Sequence, residues 1–222
     1  MVIRRRGWSV KKILIGVAAV LGLAMVGLVG AVALQPDKMH VERSVVIDAA
    51  PQDVWSVVAD YKRFADWSPW QELDPQMHVE TSEPSTGVGA SHFWKGNSDV
   101  GTGRMTITEA EPNVRMVERL EFMEPFADVS TATFTLAPDG DRTKVTWAMD
   151  GDQAFMEKGM WMLVDMDAML GADFQKGMDK LKAVVEPEAK ARKEKEEADR
   201  LAAEAAATAA AAAVPTDAVA PQ

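Results

Sequence analysis

The 222-residue sequence predicts an α+β fold, a curved antiparallel sheet of about seven strands closed by a long C-terminal helix, and three observations predict it. Strand-like segments parted by short punctuated turns fill residues 77–151. One further strand pattern precedes them at 39–48, set apart by two short helical patterns. After them, Phe155, Gly159, Leu163, Met166, Leu170, Phe174, Met178, Leu181 and Val185 recur at steps of three and four, which is one face of a helix. That face is apolar, while Glu157, Lys158, Asp165, Asp173, Lys176, Asp179, Lys180 and Lys182 fall largely elsewhere around the wheel. At roughly 1.5 Å per residue a helix of about thirty residues exceeds 40 Å, too long for a hairpin and suited to a wide sheet.

Residues 1–12 form a basic lead, with Arg4, Arg5, Arg6, Lys11 and Lys12. The uncharged run at 13–34 is long enough to span a bilayer core of about 30 Å. It reads as a transmembrane helix or signal anchor, although Ala31-Val32-Ala33 also resembles a cleavage site for a signal peptide. The cations before the span place the amino terminus in the cytoplasm and the rest on the outer side, periplasmic or extracellular, as a single-pass, membrane-anchored protein.

Gln35-Pro36-Asp37-Lys38 ends the span, and Val41, Arg43, Val45 and Ile47 then alternate with their neighbours as a strand does. Pro51 opens a short helix at a position where its missing N–H costs nothing, with Val54, Trp55, Val57 and Val58 as apolar contacts. A second short helix follows from Asp60 to about Trp67 and stops at Ser68-Pro69. The remaining strands are expected at about 77–81, 90–96, 103–110, 114–123, 127–137 and 144–151, separated by Pro84 with Gly87, Gly96-Asn97, Glu111-Pro112-Asn113, Glu124-Pro125 and Pro138-Asp139-Gly140-Asp141. Such short spacings favour hairpins. Residues 187–222 form a charged and alanine-rich tail, expected as a helical extension or as disordered chain.

Composition narrows the function. A net charge of −10 and an acidic pI near 4.8 argue against nucleic acid. The absence of cysteine excludes disulfides, thiolate metal sites and a cysteine nucleophile. His40, His78 and His92 lack metal-ligand spacing, so no metal is expected, and no glycine-rich nucleotide loop or nucleophile elbow points to a cofactor or a serine hydrolase.

The order of strand, two short helices, six strands and long helix resembles the START-like or SRPBCC superfamily, whose helix-grip fold is shared by polyketide cyclase-like and lipid-transfer proteins. Val41–Ile47 followed by Ala50-Pro51-Gln52-Asp53-Val54-Trp55 is similar to its opening motif. Trp67-Ser68-Pro69-Trp70, Asp74-Pro75, Trp94-Lys95-Gly96-Asn97, Gly101-Thr102-Gly103-Arg104-Met105, Phe122 before Pro125, and Val145-Thr146-Trp147 with Gly151 resemble the polyketide cyclase-type branch. The resemblance covers residues 39–186.

That resemblance implies a cavity between sheet and helix for an apolar ligand. Strand alternation sends Met105, Leu120, Phe122, Phe134 and Trp147 to one side, facing Met162, Met166 and Leu170 of the helix, while Trp67 and Trp70 cap one end or pack their turn. Trp94 lies on the same face of its strand as His92. Methionine adapts to varied guests, and the same residues would equally fill a solid core. Glu118 shares the face of Met116, Leu120 and Phe122, so its carboxylate either points into the interior, as a general acid or base does, or pairs with Arg104, or sits near the mouth. His92 is the second candidate for proton chemistry, or simply a satisfied residue near the sheet edge. Asp165 and Asp167, two apart, point to different sides of the helix. The expected partners are a hydrophobic small molecule or lipid and the membrane. Three function classes stay open: a tethered binder, a cyclase- or hydrolase-like enzyme on the same cavity, and a protein-interaction module with a filled core.

Overall fold

The computed structural model describes residues 10–153, 158–159 and 165–212. Among them a seven-stranded sheet comprises β1 (Lys38–Ile47), β2 (His78–Thr81), β3 (Ser91–Lys95), β4 (Thr102–Glu111), β5 (Arg115–Glu124), β6 (Asp128–Asp139) and β7 (Arg142–Asp152). Every pairing is antiparallel, in the order β1-β7-β6-β5-β4-β3-β2, so only the return from β7 to β1 is non-local. The strand limits fall within two residues of those read from turn punctuation. Register shifts in the β4–β5 pair, after Thr102 and after Ile107, add the local bend that lets a sheet curl.

An apolar helix, α1 (Val10–Ala33), precedes the sheet. Between β1 and β2 come α2 (Pro51–Val58), a 3-10 turn at Tyr61–Arg63 running into α3 (Phe64–Trp67), and a second 3-10 turn at Trp70–Glu72. The Asp53 carboxylate accepts from the Ala50 N–H at 3.3 Å, satisfying one of the free donors at the start of α2.

The long helix, α4 (Met166–Ala212), begins later than its periodicity implies. Asp165 is not helical: its carboxylate accepts from the Ala168 N–H at 3.0 Å, the geometry of an N-cap, and its carbonyl accepts from Met169. Periodicity registers which face is apolar and is blind to where the helix itself begins. Lys158 and Gly159 are helical, while Phe155 and Leu163 of the expected stripe lie outside the described residues. Asp167 reaches the other way, in a double hydrogen bond with Arg43 at 3.0 and 3.1 Å.

Phe174, Met178, Leu181 and Val185 on α4 are each at most 1% exposed and lie on the concave face of the sheet. Burying each such side chain contributes about 1.5–3 kcal/mol. Lys182 Nζ donates to the Val46 carbonyl and the Asp48 N–H donates to Glu186, so the helix runs along β1 in the same direction. Pro187 removes one backbone donor inside α4, yet the helix continues. Two forked ion pairs hold this part, Arg63 to Glu188 at 2.7 and 2.9 Å and Arg192 to Asp53 at 2.6 and 2.9 Å.

Trp147 of β7 joins sheet to helix. Its ring stacks on Phe174 with centroids 4.1 Å apart and planes 3° from parallel, and on Phe134 at 5.1 Å. At Gly177 an added Cβ would sit 3.0 Å from the Trp147 ring, so the absent side chain is what lets α4 come this close. Trp147→Ala is therefore expected to cost about 3–5 kcal/mol in urea unfolding. A loss below about 1 kcal/mol would show that this stack does not hold the helix.

Candidate functional site

Three successive rows of cross-strand neighbours share one face of the sheet, and His92, Trp94, Met105, Glu118, Leu120, Phe122, Ala132 and Met149 among them form the cavity floor. The first joins Thr81, His92, Met105, Leu120 and Ser130, and the second joins Ile107, Glu118, Ala132, Met149 and Val41. Val79, Trp94, Gly103 and Phe122 make the third. Because side chains alternate with period two, all of these face the same way. Gly103 has a specific reason to lack a side chain: a Cβ there would lie 2.4 Å from the Trp94 ring, which folds across it.

Above this floor, Phe64, Ser68 and Trp70 form one wall, and Leu170 and Phe174 of α4 with Trp147 form the other, around a cavity of about 220 Å³. Asp99 and Val100, in the loop before β4, border its accessible end, where Trp94 and Phe122 are half-buried and Asp99 is exposed. Glu118, His92 and Ser68 are buried, at 4%, 4% and 0% exposure.

Of the residues expected to line a cavity, Trp70, Trp94, Met105, Leu120, Phe122, Trp147 and Leu170 border this one. Trp67 and Phe134 do not. They meet edge to face at 5.8 Å within the solid core next to it, each 1% exposed, because the α3 turn inserts the Trp67 ring into that core. Met162 lies outside the described residues, as does the side chain of Met166. Ser68 was missed as a lining residue, because it reads only as a helix stop.

Glu118 is not paired with Arg104. Parity carries Arg104 to the outer face, over the Phe93 ring at 5.8 Å, and no cation pairs with Glu118 among the described residues. Burial raises the Glu118 carboxyl to about 7, opposed by the nearby Tyr61 hydroxyl, which favours the charged form. Burial and the Glu118 charge in turn push the Tyr61 hydroxyl above its usual range. Tyr61 Oη nonetheless makes no hydrogen bond of good geometry among the described residues. His92 is lowered to about 4 by burial alone and is neutral at pH 7. Its Nδ1 shares a hydrogen bond with Thr81 Oγ1 at 3.1 Å, and its ring lies 5.2 Å from Phe64 and 5.7 Å from Tyr61.

Three further buried atoms lack partners among the described residues: Trp67 Nε1, Ser68 Oγ and Trp147 Nε1. Each unmet buried donor costs about 1–3 kcal/mol, a concentration unusual away from a binding site. Among the described residues no group of histidines and carboxylates is placed to hold a metal ion.

A sequence profile described as "Polyketide cyclase / dehydrase and lipid transport" matches residues 38–186. No curated protein matches the sequence. Among solved structures, protein CV1439 from Chromobacterium violaceum is similar at 18% identity and a TM-score of 0.50, covering 69% of this chain and 99% of its own, which shows the fold. DynU16, from the dynemicin biosynthetic locus, has 19% identity and a TM-score of 0.48 over 68% of this chain, which spans 49% of DynU16. MLL2253 from Mesorhizobium loti has 17% identity and a TM-score of 0.47, over 66% of this chain and 94% of its own.

Glu118 and His92 make opposite contributions to stability against pH. Glu118, raised from 4.5 to about 7, stabilises the fold fully below 4.5 and loses that contribution, about 3 kcal/mol, as pH rises through 7. His92, lowered from 6.5 to about 4, contributes a similar amount above 6.5 and loses it as pH falls through 4. In the parent protein the two slopes offset between about pH 4.5 and 6.5. Urea unfolding of Glu118→Gln should therefore show stability rising across that interval, and of His92→Gln stability falling. Identical slopes in parent and variants would contradict the burial of both groups.

Proposed function

The chain belongs to the polyketide cyclase / dehydrase and lipid transport family, and on that premise we propose that it is a membrane-tethered domain that binds a hydrophobic small molecule or lipid between its sheet and its long helix. One observation carries the reading: the cavity of about 220 Å³ is walled mainly by aromatic, methionine and leucine side chains and joins a half-exposed rim. Apolar walls with a few inward polar groups are the common form of a small-molecule site. A filled core would have favoured the interaction module instead.

The tether rests on α1. Its stretch Leu14–Ala33 has a mean hydropathy of 2.5 and only 6% of it is buried, so its apolar side chains have no protein to cover them. At about 1.5 Å per residue its 24 residues reach roughly 36 Å, enough for a bilayer core. The end of α1 is fastened to the domain: Lys158 ion-pairs with Asp37 and donates to the Gln35 carbonyl at 3.2 Å, and Gln153 N–H donates to Asp37 O at 2.9 Å. The basic lead puts the amino terminus in the cytoplasm and the cavity outside.

A second reading, an enzyme of the cyclase or hydrolase kind, is favoured by the Glu118 carboxyl, which titrates near neutrality and borders the cavity. The binder is preferred because Glu118, His92 and Ser68 are not hydrogen-bonded to one another among the described residues, whereas an acid–base pair needs such alignment.

Native mass spectrometry of the full chain released from lipid-containing extract is expected to show an added mass that denaturation removes. Persistent apo mass alone would contradict the binder. A reporter fused at the carboxyl terminus should be active only outside the cytoplasm, and activity of a cytoplasm-only reporter there would refute the orientation.

A further inference from the structure

No ion pair reaches the Glu118 carboxyl among the described residues, and the fold takes it inside. It stands midway along β5, opposite Ala132 of β6, whose single methyl group leaves the space above the floor open at that point. Four unpartnered polar atoms in this region are sealed from any solvent, Tyr61 Oη, Trp67 Nε1, Ser68 Oγ and Trp147 Nε1. The Glu118 carboxyl oxygens and His92 Nε2 also lack hydrogen-bond partners among the described residues, but they are not sealed, and both residues border the cavity. A guest can therefore touch these two groups and not the other four.

Charge then separates the possible guests. Among the described residues that border the cavity there is no lysine or arginine, while Asp99 stands at its accessible end. An anion would lose its hydration without gaining a counter-charge and would sit against Glu118. A wholly apolar guest would leave the carboxyl unmet. A cation suits both the carboxylate and the walls, because an aromatic face attracts positive charge. Six aromatic rings border the space, with Trp94 and Phe122 edge to face at 6.1 Å beside the rim.

The carboxyl is buried before any guest arrives, so its lost hydration belongs to the fold and only the guest's own is added on binding. Burial raises it to about 7, and a neighbouring positive charge would lower it again and keep it ionised. Around it stand Tyr61, whose hydroxyl is pushed above its usual range by burial, and His92, which is neutral at pH 7. From α4 only Leu170 and Phe174 border the cavity among the described residues, so no element there supplies a competing cation.

Size sets the remaining limit. A dry cavity of about 150 Å³ holds benzene, while drug-sized ligands occupy about 300–1,000 Å³. At about 220 Å³ this cavity admits one substituted ring or a short branched chain.

We propose that the cavity selects a compact primary amine, a protonated amino group carried on an aromatic or alicyclic ring, with the Glu118 carboxylate as its counter-charge. This rests on the reading of the cavity as a ligand site. His92 Nε2 is a second acceptor when Nδ1 carries the proton shared with Thr81, and the ring lies against Leu120, Phe122 and Leu170.

Benzylamine, benzyl alcohol and benzoate share one ring and differ in charge. Each is dialysed to equilibrium against the full chain in nanodiscs of zwitterionic lipid, with empty nanodiscs as the blank. At pH 8 benzylamine should bind at least tenfold more tightly than either of the others. Between pH 8 and 6 its affinity should fall about tenfold as Glu118 takes up a proton, with benzyl alcohol unchanged. Glu118→Gln should bring benzylamine down to the alcohol and remove its pH dependence while leaving benzyl alcohol within a few-fold, a split that general unfolding cannot produce. Asp99→Asn should keep both the preference and the pH dependence, which assigns them to the cavity floor and not to the acidic rim. Equal affinity for benzylamine and benzyl alcohol, a preference for benzoate, or benzylamine binding that ignores pH would overturn the proposal while leaving a binding cavity. Failure of all three probes, with a larger guest retained from extract, would overturn it in the same way. If nothing binds at all, the reading of the cavity fails with it.

Discussion

Trp147 lies between Phe134 and Phe174, ring on ring, and the arrangement of the rest of the domain depends on that stack. Phe134 belongs to the neighbouring strand and Phe174 to the long helix, so one side chain ties the centre of the sheet to the element that closes it. Trp67 and Trp70 strike the same indole edge-on at 5.6 and 5.7 Å, which adds the helical insert after β1 to the joint. Aromatic pairs at these separations contribute about 0.5–1.5 kcal/mol beyond the area they bury. Gly177 makes the approach possible by leaving the ring room.

The cavity follows from where the joint is placed. The helix is drawn against β1 and β7 by the stack and by the Arg43–Asp167 pair, while the sheet continues for five more strands on the far side. Beyond β7 the floor curves away, and the α3 turn covers only part of the gap. A small floor residue, Ala132, deepens the space between helix and sheet. A void walled by apolar side chains costs stability, and here a buried carboxyl and four donors unmet among the described residues add to that cost.

The outer charges form a second system that leaves the cavity alone. Arg63–Glu188 and Arg192–Asp53 brace the extension of α4 past Pro187 against the helical insert, and Lys176 and Lys180 both reach Glu72. Such partly exposed pairs stabilise modestly one by one but fix direction well, because each fork has one good geometry. They hold the α3 turn where Phe64 and Ser68 can face the cavity.

Much of this was legible in the sequence, since the fold is built from local pairings. Hairpin punctuation marks strand ends, period two assigns each side chain to a face, and steps of three and four mark the buried stripe of the helix. Those rules suffice to put Glu118, Met105, Leu120 and Trp147 on the inner face and to draw the long helix across it. They do not say how far the helix stands from the floor at each point. Phe134 has the same periodic credentials as Trp147, yet it sits in solid core while Trp147 borders open space. The absence of a cation beside Glu118 among the described residues, the place of Ser68 on the cavity wall, and the start of α4 at Met166 were likewise decided only by the tertiary structure. Periodicity fixes direction along one element, whereas depth and partnership depend on distances between elements far apart in the chain.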